Sequence, residues 1–225
     1  MGFRRLKKEI GRLLADRDFE QSLAAIRKMP PRRAISPLFG YFCDLDETVK
    51  WHAVTAAGAL VADLARTDTE SARVVVRRFI WNLNDESGGI GWGCPEAMGE
   101  SLARSKPLAA EYWCLQTSYI QPGGNYLEHP VLQRGAVWGV GRLAHRRPDL
   151  PAMCGRLLLP YLNSDDTILR ATSVWAASRL PAPETKPILE KLKDDHSQVS
   201  LYDGMRFNTE RISDLAQTAL NALEG

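Results

Sequence analysis

The sequence predicts an all-α fold, an α–α superhelix of about five stacked helical hairpins with capping helices in front, and three observations predict it. The first is a twelve-residue pattern written three times: Val49-Lys-Trp-His-Ala-Val-Thr-Ala-Ala-Gly-Ala-Leu60, Leu132-Gln-Arg-Gly-Ala-Val-Trp-Gly-Val-Gly-Arg-Leu143 and Leu169-Arg-Ala-Thr-Ser-Val-Trp-Ala-Ala-Ser-Arg-Leu180. The fifth residue is small, the sixth is Val, the tenth is Gly or Ser and the twelfth is Leu. Secondly, with two weaker copies, the closing leucines Leu60, Leu102, Leu143, Leu180 and Leu220 lie 42, 41, 37 and 40 residues apart. Thirdly, the short stretches Asp44–Glu47 and Asn163–Asp166 are acidic turns that end in good helix N-caps.

In chain order, Phe3, Leu6, Ile10 and Leu13 recur at helical spacing among Arg4, Arg5, Lys7, Lys8 and Arg12, which makes this stretch a basic amphipathic helix. Such a helix can lie on a membrane; more often it caps a fold and turns its charges to water. A second helix over about 18–28 ends at Pro30-Pro31, completing an N-terminal cap of residues 1–30. The first helices of the hairpins fall at about 31–43, 69–83, 107–120, 149–162 and 184–193, and Pro107, Pro151 and Pro183 sit at or just before first turns, where a missing N–H costs least. A period near 40 with two helices per unit marks solenoids, in which each hairpin hides its apolar face only by stacking. The pattern resembles HEAT-like repeats, whose second helix typically reads Val-Arg-x-x-Ala-Ala-x-Ala-Leu-Gly-x-Leu, and the resemblance covers residues 31–223 of one domain spanning 1–225. The chain is also similar to a bacterial family of short HEAT-like proteins with a Gly-Gly-Ile-Gly-Trp-Gly segment, a likeness that brings no activity with it.

Three turns depart from the short pattern: Asn84 to Gly93, Gln121 to Pro130, and Asp194 to Phe207. In a stacked solenoid these turns share one edge, and enlarged loops on one edge are a common way to build a site. The inserts are rich in Gly, Trp, Tyr and acid. Gly88-Gly89-Ile-Gly-Trp-Gly93 lacks the Gly-Lys-Ser/Thr of a phosphate loop, so its glycines serve positive φ and close backbone approach. Pro95 and Glu96 then open a helix with a carboxylate near the positive end of its dipole. Trp92, Asp85, Glu86, Glu96 and His129 are the candidate binding residues on this edge. His129 beside Glu128 has no His or Cys spacing for a metal, and no metal or cofactor is expected.

Position seven of the pattern normally faces solvent on the surface that becomes concave. Here it holds Trp138 and Trp175, with Arg142 and Arg179 four residues on, along the same helical face. Trp51, four residues before Thr55, extends the aromatic face. Such a grid of rings and cations suits a protein segment anchored by aromatics and arginine, an anionic small molecule, or the bases and phosphates of a nucleic acid; the alternative is that these tryptophans pack against loops of the same edge, with the arginines stacked over them.

Composition narrows the classes. A net charge of +2 supplies no global field toward nucleic acid or membrane. No run of about 18 apolar residues exists to span a bilayer. The basic start has no apolar stretch after it, so no secretory signal is expected, and Leu6 stands where a myristoylation motif wants Ser or Thr. Cys43, Cys94, Cys114 and Cys154 form no CxxC pair and read as buried reduced thiols, so a cytoplasmic location is expected. The expected function is a non-enzymatic binding or scaffold module that recognises a protein or peptide through the concave face and the enlarged loops. The alternative is a DNA-acting enzyme resembling the HEAT-like alkylpurine DNA glycosylases, or a protein resembling the bilin lyases. The first rests on fold analogy and on the Trp–Arg pairs, the second on the repeats alone.

Overall fold

The computed structural model describes residues 2–84, 91–147 and 152–224. The chain divides into two compact units, Met1–Tyr112 and Trp113–Gly225, with the division inside the helix Lys106–Ser118.

The first unit opens with α1 (Phe3–Leu14) and α2 (Phe19–Arg27), the predicted cap. Leu6, Ile10, Leu13 and Leu14 form the buried stripe of α1, so its charges face outward. α3 (Pro31–Leu38) runs into a 3-10 turn at Phe39–Tyr41 and leads to α4 (Glu47–Thr67), then α5 (Thr69–Leu83), α6 (Cys94–Arg104) and α7 (Lys106–Ser118). Asp46 caps α4 by accepting from Thr48 and Val49 N–H, and Asp68 caps α5 through Ser71 N–H. Each such cap contributes about 1 kcal/mol. The second helices α4 and α6 pack side by side, as the small-residue pattern predicts. The reason is visible at Gly58, the tenth residue of its copy: a Cβ there would lie 2.9 Å from Glu100 Cβ of the next second helix. Buried His52 stacks flat on Phe19 at 3.6 Å between ring centres, and its Nδ1 lies 2.7 Å from the Leu14 carbonyl, which ties the cap to α4.

In the second unit the second helices are α8 (Pro130–Arg146), α10 (Thr167–Ala177) and α12 (Ile212–Glu224), packed in a row. Gly141, again the tenth residue, would place a Cβ 2.7 Å from the Trp175 ring and 2.9 Å from Ala176 Cβ. Between them lie α9 (Leu159–Leu162) and α11 (Lys186–Leu192). The fourth first helix departs from expectation: Ala152–Leu158 is a 3-10 helix and only Leu159–Leu162 is α-helical. Pro160 has no N–H to give to a carbonyl four residues back, so the tighter ladder persists up to it.

The larger correction concerns residues 194–207. The sequence reading makes them a turn, whereas the chain forms an antiparallel hairpin, β1 (Gln198–Tyr202) against β2 (Phe207–Arg211). Asp203-Gly204 makes the bend: Asp203 Oδ1 accepts from Met205 and Arg206 N–H, and Gly204 takes φ +103°. That is the conformation glycine adopts without strain. Among the described residues no helix is long and apolar enough to cross a membrane.

Within each unit, ion pairs join successive helical hairpins or the cap: Arg27 with Asp63, Arg32 with Asp68 and Arg73 with Glu111 in the first, and Arg134 with Asp166 and Arg170 with Asp195 in the second. Most are partly exposed, so each adds at most about 1 kcal/mol and serves register more than stability. Of the four thiols expected to be buried, Cys94 and Cys154 are; Cys43 and Cys114 are exposed.

Candidate functional site

In the first unit three of the sequence-selected residues, Trp51, Trp92 and Glu96, gather around a residue the sequence reading passes over, Lys50. Its Nζ lies 5.6 Å from the centre of the Trp51 ring and 3.9 Å from Glu96 Oε1. It also lines, with Trp92, a shallow cleft of about 270 Å³. Side chains on a helix lean toward its N-terminus, so Lys50, one turn after the cap Asp46, reaches back over the turn.

The floor of the cleft is Phe42, a buried ring braced by Phe39 and Phe79 at 5.2 and 6.3 Å between centres. Its mouth carries Asp44 and Glu47, and its rim carries Leu45, which is 100% exposed. Asp44 Oδ1 accepts from Asp46 N–H at 3.0 Å, which fixes that carboxylate in place. Two glycines permit the approach of Trp92 to this floor. Gly93 has φ +71° and a Cβ there would lie 2.7 Å from Phe42 Cβ; one on Gly91 would lie 2.7 Å from the Asn82 carbonyl oxygen. The glycines of the segment thus act as the sequence reading expects, as far as residues 91–93 are concerned. Residues 85–90 lie outside the described residues, and with them the candidates Asp85 and Glu86.

Glu96 sits in the first turn of α6, where a carboxylate is expected, but it is only 3% exposed. Its Oε2 has no hydrogen-bond partner. Burial pushes its carboxyl pKa above the usual glutamate value, and Lys50 opposes the shift. The neighbouring Cys94 thiol is buried, and burial together with Glu96 pushes its pKa up, which disfavours the thiolate.

In the second unit the grid of Trp138, Arg142, Trp175 and Arg179 is largely covered, the second of the two arrangements the sequence left open for these tryptophans. Trp138 is 3% exposed, and its indole N–H donates to the Tyr202 carbonyl of β1 at 2.7 Å. Its ring stacks beside Trp175 at 6.3 Å between centres and 15° between planes. Arg142 is 9% exposed beneath the hairpin bend, where a Cβ on Gly204 would lie 2.5 Å from its guanidinium carbon. The cover is the hairpin, which includes most of the enlarged turn Asp194 to Phe207 and occupies the face that position seven presents. Trp175 is half-buried and Arg179 exposed. His145 stacks on Trp175 at 4.3 Å, and its Nε2 lies 3.1 Å from the Trp175 carbonyl. Burial lowers its pKa to about 4, opposed by the Trp175 carbonyl and assisted by Arg179 and Arg142.

His129 is exposed and caps α8, its Nδ1 accepting from Val131 N–H at 3.2 Å. That is a helix-end role. No group of three or more His, Cys, Asp or Glu among the described residues is placed to hold a metal ion.

No protein-family model and no curated relative matches the chain. Solved structures do. An engineered protein is 15% identical with a TM-score of 0.54, over 100% of this chain and 97% of that one. A designed armadillo repeat protein in complex with the peptide (KR)4 is 18% identical with a TM-score of 0.54, over 97% and 99% of the two chains. A second engineered protein is 14% identical with a TM-score of 0.53, over 97% and 98%. At these identities the likeness concerns the fold, and the chain has the HEAT/armadillo-like repeat fold.

Proposed function

We propose that the chain is a non-enzymatic binding module for a protein or peptide segment, and that its first unit recognises a basic side chain of that segment. The observation that supports this reading is the cleft floored by Phe42 and walled by Trp92, with Asp44 and Glu47 at its mouth. Lys50 lines the same cleft, with its ammonium 3.9 Å from Glu96 Oε1 and 5.6 Å from the Trp51 ring centre, and the two carboxylates outnumber it. A lysine or arginine laid along Trp92 would bury its methylenes on the ring and bring its charge to the two carboxylates. The cation–π contact contributes about 0.5–1 kcal/mol at such a half-exposed position, and the exposed carboxylates a similar amount. Leu45, fully exposed beside the acids, offers an apolar contact to a neighbouring residue of the same segment.

A repeat protein of this fold was solved with a peptide of alternating Lys and Arg, which makes that peptide the natural probe. With fluorescein-labelled (Lys-Arg)4, anisotropy should report binding to the wild-type chain, and Glu47→Lys with Asp44→Asn should weaken it about tenfold. Asn at 44 keeps the oxygen that accepts from Asp46, so the turn survives. Equal affinity for the double variant, or preference for an acidic peptide, would contradict the proposal.

A further inference from the structure

Lys50 carries a charge that the first unit leaves unspent. An ammonium has three N–H donors, and among the described residues none of these makes a hydrogen bond. Its ion-pair partner, Glu96 Oε1, stands 3.9 Å away, past the reach of about 3.2 Å at which an N–H donates. Nor does Glu96 cancel the charge. That carboxyl is 3% exposed, its Oε2 has no partner, and burial favours its uncharged form. Glu47 stands one turn earlier on the same side of α4, exposed, and Lys50 makes no ion pair with it among the described residues. The lysine side chain is only 16% exposed, so its ammonium has little water to turn to.

The cleft is therefore lined by both signs, with Asp44 and Glu47 at its mouth and Lys50 in its wall. Its volume of about 270 Å³ is below the ~300–1,000 Å³ of small-molecule pockets, which is room for one residue of a chain. A residue seated there covers Lys50 as well as meeting the acids. Covering an ammonium without giving it an acceptor is costly, and a carboxylate is the acceptor that repays it best. An internal Lys or Arg brings Lys50 only a neutral amide. A C-terminal Lys or Arg carries a cation and a carboxylate on the same residue.

We infer, resting on the cleft's proposed role as a reader of a basic side chain, that the basic residue it takes is the last of its segment. The side-chain cation meets Asp44 and Glu47, and the free α-carboxylate meets Lys50. Lys50 is then the residue that tells a chain end from a chain interior.

Fluorescence anisotropy with two forms of one peptide tests this. N-terminally labelled (Lys-Arg)4 is titrated with the full chain, once with a free C-terminal carboxylate and once as the C-terminal amide. The free acid should bind about tenfold more tightly, the worth of one hydrogen-bonded charge. Bulk attraction between a basic peptide and two acids would favour the amide, so the expected preference has the opposite sign. Lys50→Gln should bind the two forms alike, and Lys50→Arg, which keeps the cation, should keep the preference. The comparison on the wild-type chain needs no variant. Equal affinity of wild type for the two forms, or a preference for the amide, overturns the inference and leaves the reading of a basic side chain standing. If Glu47→Lys with Asp44→Asn leaves both forms bound as before, that reading falls and the inference with it. Displacement of the free-acid peptide by equimolar free arginine also overturns it, and assigns the cleft to the amino acid itself.

Discussion

Replacing Trp138 by Phe tests how firmly the hairpin covers the second unit. The indole N–H donates to the Tyr202 carbonyl inside a nearly dry contact, at 2.7 Å and with 3% exposure of the residue. Phenylalanine keeps a ring for the stack on Trp175 but removes the donor. A buried carbonyl that loses its partner costs about 1–3 kcal/mol. The smaller ring also leaves a void beside Trp175 and Tyr202, adding about 1 kcal/mol. The expected loss is therefore about 3 kcal/mol, which at this chain length lowers the melting temperature by about 6–12 °C. Amide hydrogen exchange supplies the location: protection should fall in β1 and β2 more than in α8. Trp175→Phe, at a half-buried ring, should cost less. A melting temperature within 2 °C of wild type, or exchange unchanged in the hairpin, would refute the argument that Trp138 holds it down.

Three further outcomes follow from buried chemistry. Glu96 has a raised pKa in the folded chain, so its contribution to stability is fully present below the ordinary glutamate value and is lost as pH rises through the folded one. Melting temperatures measured at pH 4 and pH 7 should therefore show wild type losing ground to Glu96→Gln at the higher pH; a constant gap would contradict it. His145 is depressed, so stability is lost as pH falls from about 6.5 toward 4. Its ring protons followed by NMR should titrate near 4, and a midpoint near the ordinary value would refute the packing on Trp175. Gly141→Ala gains about 1 kcal/mol of helix propensity but sets a methyl 2.7 Å from a ring already stacked on His145. Overpacking of about 1–3 kcal/mol should win, and a raised melting temperature would show that α8 and α10 have room to part.

The repeats were legible because their cause is local and periodic. Gly58 and Gly141 are small because the next second helix passes within contact distance, and that requirement recurs at the tenth residue of the pattern. The caps Asp46 and Asp166 were equally readable, since a capping bond spans only two or three residues. The hairpin was less so, although Asp203-Gly204 between Val199-Ser-Leu-Tyr202 and Phe207-Asn-Thr209 carries its signal. The pattern alone left position seven either open or covered by loops of the same edge. What covers Trp138 is a segment more than sixty residues away, and no periodicity encodes that. Lys50 was missed for a related reason: a lysine in a helix is ordinary until its neighbours in space prove to be Trp51, Trp92 and a buried glutamate.

The central claim, that the first unit reads a basic side chain through Trp92, Asp44 and Glu47, is met most directly by an unbiased selection. A library of random peptides displayed on phage would be panned against the full wild-type chain and, in parallel, against Glu47→Lys. The account predicts a consensus with Lys or Arg at one fixed position beside an apolar residue, and loss of that position on the variant. Identical consensus sequences from both chains, or one built on acidic residues, would contradict it.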